Sequence, residues 1–349
     1  MFTNKEVGKK NTELIDSLKN TEYPYVLPIW GDKATKAGFS LPYSAGLGVN
    51  YLWQESELVI NNLNVGFNGS QKYLLDDIVR FNEATSRSNI VNFRPDVWLL
   101  PFLNVYGIFA KSSSSTFVDY SIYAPIGDGF EEIINLTSEA KFDGTSAGFG
   151  LTPTMGVGNG WIALDMNFTW TDIDALDKPA FSFVFGPRMG KSFKLKKPER
   201  NVAIWVGGFR VKLNSDTNGQ LPLGDVLETE GINEKLDNGF IRLEEAQMKL
   251  DTWWAGLTSV EQKIYQGVYD RGNEAIGKVG GLLTGVSNAV DRLEDSTVEY
   301  TLDKKQKSLW NFLVGSQLQI NKHWMIRAEA GFLGTRTQFL GGLQYRFGF

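Results

Sequence analysis

TQFLGGLQYRFGF, residues 337–349, is the stretch on which the fold turns. Counting back by twos puts Phe349, Phe347, Tyr345, Leu343, Gly341 and Phe339 on one face and Gly348, Arg346, Gln344, Gly342, Leu340 and Gln338 on the other. That is the two-residue period of a β-strand. In a soluble sheet the polar face meets water and the apolar face a core; the alternative is an apolar face against lipid and a polar face lining a lumen. One strand leaves both open. Several other segments repeat the pattern, and the chain offers no second element type to cover so many apolar faces, which favours lipid.

The alternation recurs along the chain. Leu47, Val49, Tyr51 and Trp53 lie opposite Gly46, Gly48, Asn50 and Gln54, and after a tight turn at Glu55-Ser56 a second strand over Leu63, Val65 and Phe67 is expected to complete a hairpin. Gln71 to Ser86 is read as a polar, helical connection. Strands follow over 89–100, with Pro95 marking a bulge or a break in pairing, and over 102–111. A weaker one covers 116–123, and 125–132 is read as loop. Strands over 141–157 and 162–171 flank Gly158-Asn159-Gly160, a hairpin turn; small inward residues such as Gly148 and Gly150 are expected to leave lumen space. Further strands cover 181–190, 203–214, 309–320 and 324–332.

Between 215 and 300 the period becomes helical. Leu236, Phe240 and Leu243, then Ile276, Val279, Leu283 and Val286, are spaced by three and four. Thr258 and Glu261 form a capping box opening a helix, and the glycines from Gly272 to Gly285 mean that this stretch needs a partner surface. The chain is therefore an all-β transmembrane protein: an antiparallel up-and-down barrel of about 12 strands, with roughly 10 or 14 as alternatives, over 41–349, carrying a mostly helical insertion at 215–300. Residues 1–40 form a polar periplasmic segment or lumen plug. With both chain ends periplasmic, strand parity places the insertion on the extracellular side.

A strand of this kind ending on Phe resembles the terminal strand of Gram-negative outer-membrane β-barrels. The resemblance names a class and no narrower family. It implies that Tyr345, Phe347 and Phe349 belong to an assembly signal, that the barrel assembly machinery and outer-membrane lipid are partners, and that an export signal has been removed, since MFTNKEVGKKNTELIDSLKN lacks the apolar segment of a signal peptide.

Composition agrees with a barrel. No run of about 18–20 apolar residues exists, which disfavours a helical membrane protein, yet aromatics make up 13% of the chain and Trp alone accounts for 10 residues. Zero Cys excludes disulfides and thiolate sites, and a net charge of −5 gives no reason to expect nucleic acid.

The charged residues within strands, Arg94, Asp96, Asp165, Arg188, Arg210, Lys212, Arg327, Glu329 and Arg346, are all assigned to the inward face. They either tune a weakly anion-preferring small-solute channel or pair into a network that fills a narrow interior; the occluded interior is favoured. Trp53, Trp98, Trp161, Trp170, Trp205, Trp310 and Trp324 sit near strand ends, as interfacial girdles do. The single histidine, His323, falls in a turn beside Trp324, and no GxSxG, HExxH or P-loop pattern appears. An enzyme, such as a lipid-modifying barrel, is therefore disfavoured, and no cofactor or metal is expected; Asp128, Glu131 and Glu132 are read as a solvated loop. In the insertion, Trp253, Trp254, Leu257, Tyr265 and Tyr269 either bind another envelope protein or lid the barrel mouth. The expected role is that of a non-catalytic structural or accessory subunit.

Overall fold

The structure is a computed structural model describing residues 9–349 apart from Thr21, Gly127, Asp128, Ala175, Asp177, Pro198 and Ser215. Two short helices, α1 (Lys9–Asn20) and α2 (Gly31–Lys36), precede β1 (Ala45–Phe67), the two-residue β2 (Tyr73–Leu74), β3 (Val79–Leu100), β4 (Leu103–Ile126) and β5 (Gly129–Val157). Then come β6 (Gly160–Ile173), β7 (Ala180–Lys194), β8 (Asn201–Asn214) and β9 (Asp216–Pro222). The insertion holds α3 (Ile232–Gly256) and α4 (Ser259–Val290), and β10 (Thr297–Gln306), β11 (Trp310–Gln319), β12 (Trp324–Phe332) and β13 (Arg336–Phe347) complete the chain.

Ten strands close a barrel in the order β1-β3-β4-β5-β6-β7-β8-β11-β12-β13, with β13 returning to β1 from Ala45↔Phe347 to Ser56↔Arg336. β2, β9 and β10 stand outside that ring, so the expectation of about 12 barrel strands is corrected to ten. The surplus came from cutting two strands, β1 and β4, each in two. β1 runs unbroken through Glu55 and Ser56, which pair with Arg87 and Ser86 of β3. Val79 to Ser86 belongs to β3 rather than to a helical connection, and only a short tip remains of the loop at 125–132. Pro95 does interrupt pairing with β4, without a bulge on that side.

Strand length divides the molecule into two storeys. β6, β7, β8, β11, β12 and β13 have 9 to 15 residues, whereas β1, β3, β4 and β5 have 22 to 29. A bilayer core needs about 9–11 tilted strand residues, so the long strands overshoot it. In the lower storey every barrel strand presents an exposed apolar side chain: Val49, Phe93, Phe109, Phe149, Trp170, Met189, Val206, Phe312, Ile326 and Leu343, in chain order. A continuous belt of that kind is stable only against lipid.

Above the belt the pattern turns inside out. Along β4 the inward residues pass from Asn104, Tyr106 and Ser114 to Val118, Tyr120, Ile122 and Ala124, while the outward ones pass from Val105 and Phe109 to Lys111, Ser113 and Ser115. The outer solvent has changed from hydrocarbon to water, and the interior from polar to apolar. This inversion made the upper segments look like turns and connections in the sequence.

The upper storey has its own wall. β10 takes over the edge of β1 from Leu58↔Gln306 to Phe67↔Val298, β9 pairs with β10, and the ring is completed where Leu227 bridges Ser138 of β5. The antiparallel helices α3 and α4 pack on the inner face of the strand tips, with Leu236, Leu250, Val279 and Leu283 against Ile78, Ile122, Ile134 and Leu136. The expected capping box is present: Thr258 N–H donates to Glu261 Oε2 at 2.8 Å and Glu261 N–H to Thr258 Oγ1 at 3.4 Å. Gly272 lets α4 approach α3, since a Cβ there would lie 2.8 Å from Leu250. No described helix is long and apolar enough to cross a membrane. The helical insertion and the chain termini lie at opposite ends of the barrel, because β1 leaves and β13 returns to the same end.

Candidate functional site

The lumen of the lower storey is where the sequence-derived charges converge. Arg188 on β7 ion-pairs with Asp165 of β6, and its Nη2 donates to Glu329 Oε2 of β12 at 3.2 Å; Nε lies 3.2 Å from Oε1 without hydrogen-bond alignment. Because β8 and β11 separate β7 from β12 in the wall, this contact crosses the lumen. Arg327 also donates to Glu329 Oε1, which further accepts from Trp205 Nε1 at 3.0 Å. A second brace is the ion pair of Arg346 on β13 with Asp96 on β3, at 3.0 Å, and Asn104 and Gln344 donate hydrogen bonds to Asp96. Arg94 lies 3.9 Å from Asp165 and 3.4 Å over the ring of Tyr106. Tyr106 and Thr152 both donate to Asp165.

Burial makes these contacts strong and conditional. Asp96, Asp165, Glu329 and Arg346 are each less than a tenth exposed, and a buried charge is tolerated only while paired and hydrogen-bonded. The space that remains is a polar cavity of about 190 Å³ lined by Asn50, Thr154, Gln317 and the charged residues other than Glu329. At the end near the termini the N-terminal segment adds a cover. Pro42 lines the cavity, Tyr43 O accepts from Arg346 Nε at 3.0 Å, Val26 N–H donates to Phe349 O, and Ile29 N–H donates to Leu99 O.

Seven of the nine expected lumen charges are thus assembled, and two are not. Arg210 and Lys212 are exposed on the outer face, opposite Phe185 and Phe183 of β7. β8 is apolar on both faces, with Ala203, Trp205 and Phe209 buried inward and Ile204 and Val206 outward. Its phase could not be read from hydrophobicity, and charges at the strand's far end misled it. Of the tryptophans assigned to girdles, Trp170, Trp310 and Trp324 are exposed and Trp53 is half-buried within β1 rather than at a strand end, whereas Trp98, Trp161 and Trp205 line the lumen. Nor do the inward glycines open space. Gly150 seats the ring of Tyr106, Gly190 that of Trp161 and Gly315 that of Trp205. Gly opposite a bulky aromatic on a paired strand was the available signal for this filled interior.

Two cations, the buried Arg336 and the half-buried Lys304, escaped the sequence reading. Arg336 is 3% exposed, stands 5.0 Å over Phe209, and none of its side-chain nitrogens has a hydrogen-bond partner. Lys304 of β10 points into the upper storey and donates to Thr116 Oγ1 at 2.8 Å. There burial in apolar surroundings lowers its pKa to about 8.

Among the partner-binding candidates, Trp254 stacks on Tyr269 at 4.5 Å and Trp253 meets Tyr265 edge-on at 6.0 Å, closing the tip of the helical hairpin, while Leu257 is the C-cap of α3. Of the proposed assembly signal, Tyr345 packs against Trp324 and His323, Phe347 lies beside Tyr345, and Phe349 N–H donates to Ser44 Oγ at 3.0 Å. His323 sits in its turn with Nδ1 2.8 Å from Arg346 O. Glu131 pairs with Lys249 at 2.7 Å, Glu132 accepts from Tyr123, and Asp128 lies outside the described residues.

No family model and no curated protein matches this chain. Among solved structures it is similar to the β domain of the Bordetella autotransporter BrkA, at TM-score 0.35 and 8% identity over 87% of this chain and 100% of that one. It is also similar to the translocator domain of the autotransporter NalP from Neisseria meningitidis, at TM-score 0.35 and 7% identity over 97% and 94% of the two chains. An outer membrane channel from Pseudomonas putida F1 gives TM-score 0.28 and 10% identity over 88% and 96%.

Proposed function

We propose that the protein is a non-catalytic, non-conducting barrel of the bacterial outer membrane, a structural or accessory subunit that anchors its upper storey in the bilayer and meets a partner through the helical hairpin. The cross-lumen pairing of Arg188 with Glu329, in a guanidinium that also holds Asp165 of the adjacent strand, carries this reading, because a conducting pore would have to part buried charges that stabilise one another only in contact. Taking the short-turn end as periplasmic, as in outer-membrane barrels, the upper storey faces outward from the cell. Exposed Met248, Val260 and Ile264 add apolar surface to the hairpin beside the aromatic tip.

Planar-bilayer recording of the purified protein tests the proposal. A quiet baseline after insertion, with stoichiometric co-purification of another envelope protein, is the expected result. Stable stepwise currents would overturn it in favour of a small-solute channel. Four arginines, Arg94, Arg188, Arg327 and Arg346, against the three carboxylates Asp96, Asp165 and Glu329 would give that channel a weak anion preference.

A further inference from the structure

The upper storey holds a half-open cavity of about 340 Å³, within the range of about 300–1,000 Å³ typical of small-molecule sites. Its walls are almost wholly apolar: Leu63 and Val65 from β1, Phe81 from β3, Val118 from β4, Phe142 from β5 and Leu302 from β10 all face it. Into this oily space projects one ammonium group, that of Lys304, held by Thr116 Oγ1 and 5.6 Å from the ring of Phe142. Among the described residues no carboxylate lies within ion-pair distance of Lys304. The same hydrogen-bonded row of strands that holds Thr116 runs through Ser86 and Ser56 to Arg336, whose buried guanidinium has no hydrogen-bond partner among the described residues.

We infer that this chamber binds a single-chain fatty carboxylate, its head group taken by Lys304 and Thr116 at the floor and its hydrocarbon tail lying among Val118, Phe81, Leu63 and Val65 beneath the helical hairpin. Burying a cation without a counter-charge is costly, and a water-soluble domain needs no such group at the base of an apolar core. An anionic head group supplies the missing charge, and the walls supply the transfer free energy of the chain, about 0.8 kcal/mol per buried methylene. The chamber lies above the belt, so the proposal does not depend on whether the lower lumen conducts.

Palmitate binding to the full-length protein in lipid nanodiscs, measured against empty nanodiscs, tests it. Saturable uptake of about one palmitate per chain is expected, with hexadecanol bound roughly ten- to a hundred-fold more weakly because it cannot use the charge-assisted hydrogen bond. Lys304→Met should weaken palmitate by a similar factor and leave hexadecanol within about threefold. Val118→Trp, which fills the chamber, should abolish both while the barrel keeps its heat-modifiable mobility on gels. Uptake no greater than that of empty nanodiscs, equal affinity for acid and alcohol, or palmitate affinity unchanged in Lys304→Met would each overturn the inference.

Discussion

Arg188 on β7 meets Glu329 on β12 across the lumen, Nη2 donating to Oε2 at 3.2 Å, while its other terminal nitrogen holds Asp165 on the neighbouring β6. Glu329 in turn serves Arg327 and Trp205, so one buried carboxylate satisfies three side chains from three strands.

Removing that charge should therefore cost more than removing any one of its partners. Glu329→Gln is expected to lower the unfolding free energy by about 3–5 kcal/mol, the cost of leaving buried guanidinium groups uncompensated. Arg327→Met leaves Glu329 paired with Arg188 and should cost less than half as much. Urea titration of the folded barrel in detergent micelles measures both; equal losses would show that Glu329 is not the centre of the network.

The inside-out inversion between storeys makes the outer surface read differently at two heights. Ile326→Arg, in the belt, should destabilise the inserted barrel by about 2–4 kcal/mol, as arginine does near the bilayer midplane. Ser113→Arg, outward on β4 above the belt, should stay within about 0.5 kcal/mol of the parent. Similar losses at both sites would mean that the membrane boundary has been drawn at the wrong height.

Glycine position matters for the same reason. Gly315→Val drives a side chain into the indole of Trp205 and should cost about 1–3 kcal/mol as overpacking, whereas Gly156→Ala meets nothing within 4 Å and should be near neutral. The readout is the urea midpoint of each variant. A neutral Gly315→Val would show that the Trp205 side of the lumen has room to spare.

What the sequence revealed follows from where its two periods were clean. In 337–349, 162–171 and 324–332 one face is polar and the other apolar, so strand, phase and the inward placement of Arg346, Asp165, Arg327 and Glu329 were all legible. In α3 and α4 the spacing of Leu236, Leu243, Val279 and Leu283 and the Thr258–Glu261 box located the helices. Legibility failed where the solvent changed partway along a strand. Glu55 is polar because it stands in water above the belt, paired with the exposed Arg87, and a pattern tuned to lipid took Glu55-Ser56 for a turn. It failed again in β8, where both faces are apolar. The filling of the lumen by Tyr106, Trp161 and Trp205 depends on which glycine each ring meets on the paired strand, which the period of a single strand does not encode.

Lys304 offers a test of burial in the upper storey that works through pH. Its folded pKa is about 8, below the ordinary 10.5, because burial disfavours the charged form. Between those values the unfolded chain holds the proton more readily than the folded one, so the lysine's destabilising effect is full below about pH 8 and fades as pH rises through 10.5. A shift of that size corresponds to about 3 kcal/mol, less roughly 1 kcal/mol for the lost hydrogen bond to Thr116 in a Lys304→Met variant. Ligand-free Lys304→Met should therefore be more stable than the parent by roughly 2 kcal/mol near pH 7.5. The advantage should vanish or reverse near pH 10.5, where the parent lysine is largely neutral in both states. Parallel urea titrations at the two pH values cancel the contribution of every other titrating group, since only position 304 differs. A stability difference independent of pH would show that Lys304 is solvated in the folded protein, and the apolar chamber would then have to admit water to its floor.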